Sequence, residues 1–187
     1  MSIKYPPIVQ VDENGKVIGP VKYKIAHPEN ENHNGVRHST VNVMIFKDNS
    51  YRKVLLQKRG KEVLAEKGRY DCSAGGHIDW LIDKNMPDTP KDAVLKEINE
   101  ELFSLKGIPK TMELGYIGAF NKELALNDKE FLYLFRGICQ GPFFLYLKEV
   151  SELKWEDVSF LLIDLKNFPG KYTKNLGFCL EKCLDRI

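Results

Sequence analysis

Residues 75–104 read GGHIDWLIDKNMPDTPKDAVLKEINEELFS: two glycines on a strand-like start, a polar loop, and then a helical pattern. Thr89 can cap this helix and Pro90 suits its first turn, so we predict that it begins here and runs to about Phe103. At about 100° per residue, one arc of the helix is apolar and the adjoining arc is acidic. The acidic arc holds Glu97, Glu100 and Glu101.

This acidic arc has two interpretations. A run of carboxylates beside an apolar stripe is most often a solvated helix face. Residues 88–104, however, contain five acidic residues against two lysines, so several carboxylates lack a basic neighbour. Oxygen ligands of this kind suit a hard divalent cation that keeps some of its waters. A Mg²⁺ or Mn²⁺ site is therefore the functional alternative.

The same stretch resembles the signature of the Nudix family: a glycine, five residues, Glu, seven residues, and then Arg-Glu, an aliphatic residue, any residue and Glu-Glu. Seven residues separate Asp88 from Lys96, and the six residues from Lys96 to Glu101 match the last part with Lys for Arg. Eleven residues separate Gly76 from Asp88, where the family pattern has five. We interpret the difference as a six-residue insertion in a loop. Phe103 replaces the family's next glycine, and Asp88 replaces a Glu.

The resemblance implies a Nudix α/β/α sandwich of the α/β (α+β) class, with a central mixed sheet. It also implies a hydrolase that cleaves a diphosphate linkage in a nucleotide or related metabolite. Mg²⁺ or Mn²⁺ would neutralise phosphate charge, position the diphosphate and acidify the attacking water. The implied ligands and catalytic residues are Glu97, Glu100 and Glu101. Gly75 and Gly76 would let the backbone approach the bound substrate and metal, and Lys96 would pair with a neighbouring acid.

A second resemblance covers VDENGKVIG, KIAHP, GVRHSTVNVMIF and VLLQKRG, which are similar to the Nudix branch that includes type I isopentenyl diphosphate isomerase. Those isomerases hold a metal through three histidines and two carboxylates. The matching residues here are His27, His38, His77, Asp128 and Glu130. The resemblance thus implies a second divalent site, where imidazole ligands would favour Zn²⁺, Mn²⁺ or Fe²⁺. The alternatives are hydrogen-bonded structural histidines and a solvated strand entrance.

Two further roles follow for these acidic residues. Asp128 and Glu130 share a face if a strand begins there. Glu130 is also the predicted general base, because Nudix enzymes often take the base from outside the helix.

One departure separates this chain from the isomerases. Their catalytic cysteine precedes the Gly-His pair, where this chain has Gly75. Cys72 lies three residues earlier, and on a strand its side chain would point to the other face. The thiol proton donor is missing, which favours hydrolysis. An isopentenyl diphosphate isomerase-like enzyme and a noncatalytic nucleotide-binding Nudix protein are the alternatives.

Two basic residues lie at a predicted strand end near the glycines. Lys58 and Arg59 could bind substrate phosphates, Arg59 in bidentate fashion, or could simply be exposed charges. Trp155 is expected to pack rather than to stack on a base.

The whole-chain composition narrows the class of protein. The 187 residues are 43% hydrophobic and 29% charged, with a net charge of +2, which excludes a disordered chain. A net charge this small does not predict a basic surface for nucleic acid. The sequence has neither a long apolar run nor a signal-peptide pattern, so we expect no membrane partner. We expect a cytoplasmic protein with a small-molecule diphosphate substrate. The sequence is compatible with a monomer or a homodimer. Four cysteines without a CxxC pair are expected to be reduced and buried.

The domain organisation predicted from this sequence is simple. We expect one Nudix domain over 1–187, with an N-terminal strand extension at 1–36 and a Nudix box at 75–104 that carries its insertion at 80–87. Alternation and turn residues predict strands at 8–11, 16–24, 40–46, 53–58, 70–78, 114–120 and 131–139. Further helices are predicted at 155–165 and 172–184.

Overall fold

The computed structural model describes residues 6–29, 32–146 and 148–186. The strands are β1 Ile8–Val11, β2 Val17–Val21, β3 His38–Phe46, β4 Lys53–Arg59, β5 Tyr70–Asp71, β6 Ala74–His77, β7 Trp80–Leu81, β8 Met86–Pro87, β9 Glu113–Ala125, β10 Asp128–Ile138 and β11 Val150–Asp157. The helices are α1 Tyr23–Ala26, α2 Pro90–Glu97, α3 Val158–Asn167 and α4 Lys174–Leu184. A large antiparallel sheet with few helices confirms the predicted α+β class.

The chain divides into two compact units, which we describe separately. The first comprises the described residues of Met1–Val41, Gly76–Ala93 and Gly118–Tyr133. The second comprises those of Asn42–Gly75, Val94–Ile117 and Leu134–Ile187.

The first unit contains the predicted leading hairpin. Strands β1 and β2 pair antiparallel, and the Asp12 carboxylate closes their turn by accepting hydrogen bonds from the backbone N–H groups of Asn14 and Lys16. The prediction that the second strand reaches residue 24 is wrong. It ends at Val21, because the chain turns into the single helical turn of α1. That turn places His27 at its end.

The insertion at 80–87 is an ordered hairpin rather than the loop that we predicted. Strands β7 and β8 pair through Trp80 with Pro87 and Leu81 with Met86. A 3₁₀ turn joins them, and Asn85 ends it in the left-handed region, which asparagine tolerates better than most residues. Local turn chemistry therefore gives the added residues a structure of their own.

Strand β4 organises the second unit. It pairs antiparallel with β5, with the end of β3, and with β11 along most of its length. The helix predicted at 155–165 is present but begins later, since Trp155 lies in β11 and α3 runs over Val158–Asn167. The Asp157 carboxylate caps α3 by accepting from two of its first backbone N–H groups. The Trp155 ring lies 6.1 Å from that of Phe143, which confirms a packing role.

The acidic helix starts where the sequence predicts and then changes its geometry. The Thr89 hydroxyl accepts from the Asp92 N–H at 3.0 Å, and α2 follows. From Ile98 to Leu102 the helix is π-helical, with wider turns than an α-helix. The positions of Glu100 and Glu101 therefore depart from the regular arc that we predicted. The apolar stripe is confirmed: Val94, Ile98, Leu102 and Phe103 are buried.

The remaining predictions differ in their outcome. All four cysteines are free and buried, as expected. Some strands extend beyond the predicted bounds, most clearly β9, which continues to Ala125. The single strand predicted at 70–78 is instead two short strands, β5 and β6. Helix α4 begins at Lys174, after its capping residue Thr173, and so starts two residues later than predicted. Among the described residues, no helix is both long and apolar enough to cross a bilayer.

Candidate active site

The first unit brings together the five residues of the predicted second metal site. His27 follows α1, His38 opens β3 and His77 ends β6. Asp128 and Glu130 lie at the start of β10. A strand therefore begins where the prediction of a shared face requires it. Elements that are far apart in the sequence therefore deliver these side chains to one place.

Their donor atoms are close enough for shared coordination. The Nε2 atoms of His27 and His77 lie 2.9 Å apart, and the ring of His38 lies 4.3 Å from that of His27. The three histidines each offer a ligand atom within 4.8 Å of the others, and so do His38, Asp128 and Glu130. His38 belongs to both groups and therefore lies at the centre of the cluster.

Gly35 fixes the loop that carries two of these histidines. A side-chain carbon at this position would lie 2.4 Å from the carbonyl oxygen of Ala26 and 2.5 Å from that of Asn127. The Asn127 side chain also donates a hydrogen bond to the carbonyl of Pro28. The close backbone approach, which only glycine permits, holds Gly35 against the end of α1 and against the turn that precedes β10.

The protonation of these imidazoles suits metal binding. The carbonyl oxygen of Val36 can only accept, so Nδ1 of His38 donates to it at 3.0 Å and Nε2 carries the lone pair. That Nε2 is buried and has no hydrogen-bond partner among the described residues. Burial, then the charge of His38, lowers the pKa of His27 to about 4, and the same two causes hold the pKa of His77 well below its usual value. Neutral imidazoles and a buried lone pair fit a divalent metal.

Glu130 has an additional set of partners. Its Oε2 lies 2.6 Å from Nζ of the buried Lys122 and accepts a hydrogen bond from the Thr40 hydroxyl at 2.9 Å. Burial alone would raise the pKa of Glu130, but Lys122, followed by His38, lowers it to about 2. The carboxylate is therefore ionised and fixed in position.

Glu101 is the buried member of the acidic helix, in the second unit. Its Oε2 accepts hydrogen bonds from the backbone N–H of Gly75 at 3.0 Å and from Nε2 of Gln57 at 3.2 Å. Burial, followed by repulsion from Glu97, raises the pKa of Glu101 well above its usual value. A cation beside Glu97 and Glu101 would relieve both effects, so these residues fit the divalent ion that the acidic pattern predicts.

Two other observations describe this acidic site. Desolvation, then the charge of Glu100, raises the pKa of Glu149, which precedes β11. Among the described residues, Glu97, Glu100 and Glu101 do not bring three ligand atoms within 4.8 Å of one another, whereas the histidine cluster does. The acidic site is thus the more open arrangement.

The two predicted phosphate-binding residues lie on opposite faces of β4. Arg59 donates from Nη1 to Asp71 at 3.1 Å and from Nε to the carbonyl of Ala65, and its charge acts on both Glu101 and Glu149. Lys58 instead lies 3.5 Å from the Glu152 carboxylate. The structure therefore places Arg59, but not Lys58, on the face of β4 that carries Gln57.

Comparison with known proteins decides the family. The sequence profile of the NUDIX domain matches residues 36–176, three quarters of the chain. The chain belongs to the Nudix family. This Nudix chain is 26% identical over 182 residues to isopentenyl-diphosphate Delta-isomerase 1 of Aromatoleum aromaticum, and the match covers 96% of this chain and 91% of that protein.

Solved structures share the fold of this Nudix chain. A Deinococcus radiodurans protein, DR0079, superposes with a TM-score of 0.73 at 17% identity, over 95% of this chain and 98% of that one. A MutT NUDIX hydrolase of Burkholderia pseudomallei gives a TM-score of 0.55 at 18% identity, over 78% of this chain and 97% of its own. At these identities the likeness shows the fold alone.

Sequence reasoning missed two residues that contact the candidate ligands. Lys122 escaped because we predicted that β9 ends at residue 120, so the region up to Asp128 was interpreted as a polar loop. Its continuation to Ala125 could have been inferred from the alternation in NKELALND. Gln57, which bonds to Glu101, carries no signal of its own, since a glutamine in an apolar strand is ordinary.

Proposed function

We propose that this chain is a divalent-cation-dependent Nudix hydrolase that cleaves a diphosphate linkage in a nucleotide or related metabolite. The observation that carries the proposal is the environment of Glu101: a buried carboxylate beside Glu97, held by the Gly75 N–H, with a pKa raised well above its usual value. Such a carboxylate is stabilised by a cation. Glu100 completes the acidic set that the family signature assigns.

The chain's own residues supply the rest of the chemistry. Mg²⁺ or Mn²⁺, when bound, would neutralise diphosphate charge and acidify a water. Glu97 and Glu101 would hold it, and the Gly75 N–H fixes the orientation of Glu101. Arg59, itself fixed by Asp71, would bind a phosphate oxygen and keep the substrate in line for attack. The family resemblance implies that Gly76 would also let the backbone approach the substrate.

The general base has two candidates. Glu130 stays our prediction from the sequence, but its Oε2 is engaged by Lys122 and Thr40, which suits a metal ligand better than a proton acceptor. Glu149 belongs to the second unit, and its charge interacts with those of Glu100 and Glu101. Comparing kcat for Glu130→Gln and Glu149→Gln distinguishes them, since loss of the base lowers kcat by about 10²-fold or more.

A second function, isomerisation of isopentenyl diphosphate, is favoured by two observations. The curated relative carries the isomerase name, and the histidine cluster of the first unit is complete. A second divalent ion, Zn²⁺, Mn²⁺ or Fe²⁺, would be held there by His27, His38, His77, Asp128 and Glu130. Against this function stands Gly75, which offers no thiol proton donor. We therefore propose the isomerase-like activity only as the alternative.

The test is a product-resolved screen of diphosphate compounds with Mg²⁺, including nucleoside diphosphates, dinucleoside polyphosphates and isopentenyl diphosphate. The proposal expects release of phosphate or a phosphomonoester from at least one compound, and its loss in Glu101→Gln. Tight nucleotide binding without turnover in Mg²⁺ or Mn²⁺ would instead identify a noncatalytic binding protein.

A further inference from the structure

Gln57 is a buried polar residue that the family signature does not include. It lies in β4 opposite Leu153 and Asp71, and only 3% of its surface is exposed. Its Nε2 donates to Oε2 of Glu101 at 3.2 Å, but its Oε1 is buried and has no hydrogen-bond partner among the described residues. Buried acceptors without a partner are rare, and a nearby cation or water is one physical explanation for such a group.

The orientation of this amide follows from its neighbour. With the cation bound, Glu101 would be ionised and could only accept, so the nitrogen of Gln57 faces it. Reversing the amide would place two oxygens in contact and would leave the nitrogen unpaired instead. The unmet acceptor therefore belongs to Oε1, on a side chain that already contacts the acidic site.

Neighbouring donors are engaged elsewhere. On the same face of β4, Arg59 donates to Asp71 and to the carbonyl of Ala65. The Gly75 N–H is used by Glu101, and the Ser73 hydroxyl donates to the carbonyl of Leu55. No donor among the described residues reaches Oε1, and a water of a bound cation would supply one.

We propose that Gln57 belongs to the divalent-cation site: its amide nitrogen holds Glu101, and its carbonyl oxygen accepts a hydrogen bond from a water of the bound cation. This inference rests on the proposed function, because it assigns the cation to Glu97 and Glu101. Gln57 acts through Glu101 and the cation's water, so it is a positioning residue. It would tune cation affinity from a strand, in addition to the glutamates that the helix carries.

The experiment measures Mg²⁺ binding by calorimetry without substrate, so that turnover plays no part. Mg²⁺ is chosen because the imidazole cluster disfavours it relative to transition metals. Gln57→Leu should raise the Kd for Mg²⁺ by roughly tenfold or more, as loss of such supporting partners does elsewhere. The matched control is Leu56→Val, a conservative change at the fully buried position of β4 that precedes Gln57. It should leave the Kd for Mg²⁺ unchanged.

Gln57→Glu separates the proposed role from simple support of Glu101. It keeps an acceptor oxygen and loses the nitrogen that holds Glu101, but its added negative charge attracts Mg²⁺ directly. This attraction should outweigh the loss of one neutral hydrogen bond. Its Kd should therefore equal or fall below that of the wild type, even if Gln57→Leu fails to fold. A Kd raised by tenfold in Gln57→Glu, or an unchanged Kd in Gln57→Leu, would overturn the inference. If the wild type does not bind Mg²⁺, or Glu101→Gln binds it equally well, the cation site itself is wrong and the proposed function fails with it.

Discussion

The backbone N–H of Gly75 donates a hydrogen bond to Oε2 of Glu101 across 3.0 Å. Gly75 occupies the position at which the isomerases that this chain resembles carry their catalytic cysteine. Its backbone instead fixes a carboxylate of the acidic helix, while no side chain extends from it. Gly75 therefore affects both candidate chemistries: its backbone supports the proposed cation site, and it lacks the thiol of an isomerase.

Glu101→Gln should abolish hydrolysis with little loss of stability. Removing a ligand that acts on transition-state charge is expected to lower kcat by at least about 10²-fold. Because burial and Glu97 disfavour the ionised form, a neutral amide is tolerated in the metal-free fold. Steady-state kinetics and thermal unfolding without metal measure the two effects. Glu100→Gln should show the same kinetic loss, and near wild-type turnover in both variants would contradict the metal assignment.

Gly75→Cys should not create efficient isomerase activity. Isomerisation needs an acid and a base on opposite faces of the allylic carbons and an apolar pocket, and a thiol supplies only one of these groups. Gly75 lies in the short strand β6, where a side chain is compatible with the backbone, so the variant should fold. The assay follows dimethylallyl diphosphate from isopentenyl diphosphate in parent and variant. A variant that isomerises efficiently would show that the rest of the isomerase machinery is already in place.

The histidine cluster should bind a transition metal. Elemental analysis of protein purified without chelator is expected to find Zn²⁺, Mn²⁺ or Fe²⁺, and to find it lost in the double variant His38→Ala, His77→Ala. His33→Ala is the matched control, since His33 is the one histidine outside the cluster. Equal metal content in the double variant and the wild type would remove the second site.

Asp164 should make stability depend on acid pH. Its carboxylate accepts from the Tyr172 hydroxyl at 2.6 Å and pairs with Lys171, and the Tyr172 hydrogen bond in particular lowers the pKa of Asp164 below its usual value. A lowered carboxyl pKa stabilises the fold above the pKa of the unfolded chain, and this contribution is lost as pH falls through the folded pKa. Asp164→Asn should therefore lower the Tm at pH 7. The decrease in Tm relative to the wild type should be much smaller below a pH of about 3.

The control for this pH dependence is Glu181→Gln, which breaks an exposed ion pair with Lys182. Exposed pairs contribute little to stability, so its Tm should follow that of the wild type at every pH. Thermal unfolding monitored by circular dichroism measures both variants. A Tm deficit of Asp164→Asn that does not shrink in acid would show that shape, rather than ionisation, sets its contribution.

The acidic helix shows how much of the site the sequence can predict. The cap at Thr89 and the apolar stripe follow from local preferences, and the spacing of Glu97, Glu100 and Glu101 predicts a cation site. The π-helical turn at Ile98–Leu102 has no local signature, because it depends on how the helix packs. The contact between Gly75 and Glu101 depends on tertiary structure and is equally invisible in the sequence.

Strand β11 shows why other predictions failed. The segment around Trp155 has a spacing of apolar residues that suits a helix or a strand, and local pattern alone does not distinguish them. Pairing with β4 decides for the strand. The histidine cluster was predicted through resemblance alone, since lone histidines on loops and strand ends carry no metal signal of their own. Their ion-paired neighbour Lys122 was missed because strand ends are the least certain part of such predictions.

The most direct test of the account is phosphorus NMR of the wild-type protein with Mg²⁺, incubated separately with isopentenyl diphosphate and with a panel of nucleotide diphosphate compounds. The account predicts phosphomonoester or phosphate signals from at least one nucleotide compound, their absence with Glu101→Gln, and no dimethylallyl diphosphate from isopentenyl diphosphate. Robust isomerisation by the wild type, with no diphosphate cleaved in the panel, would contradict it.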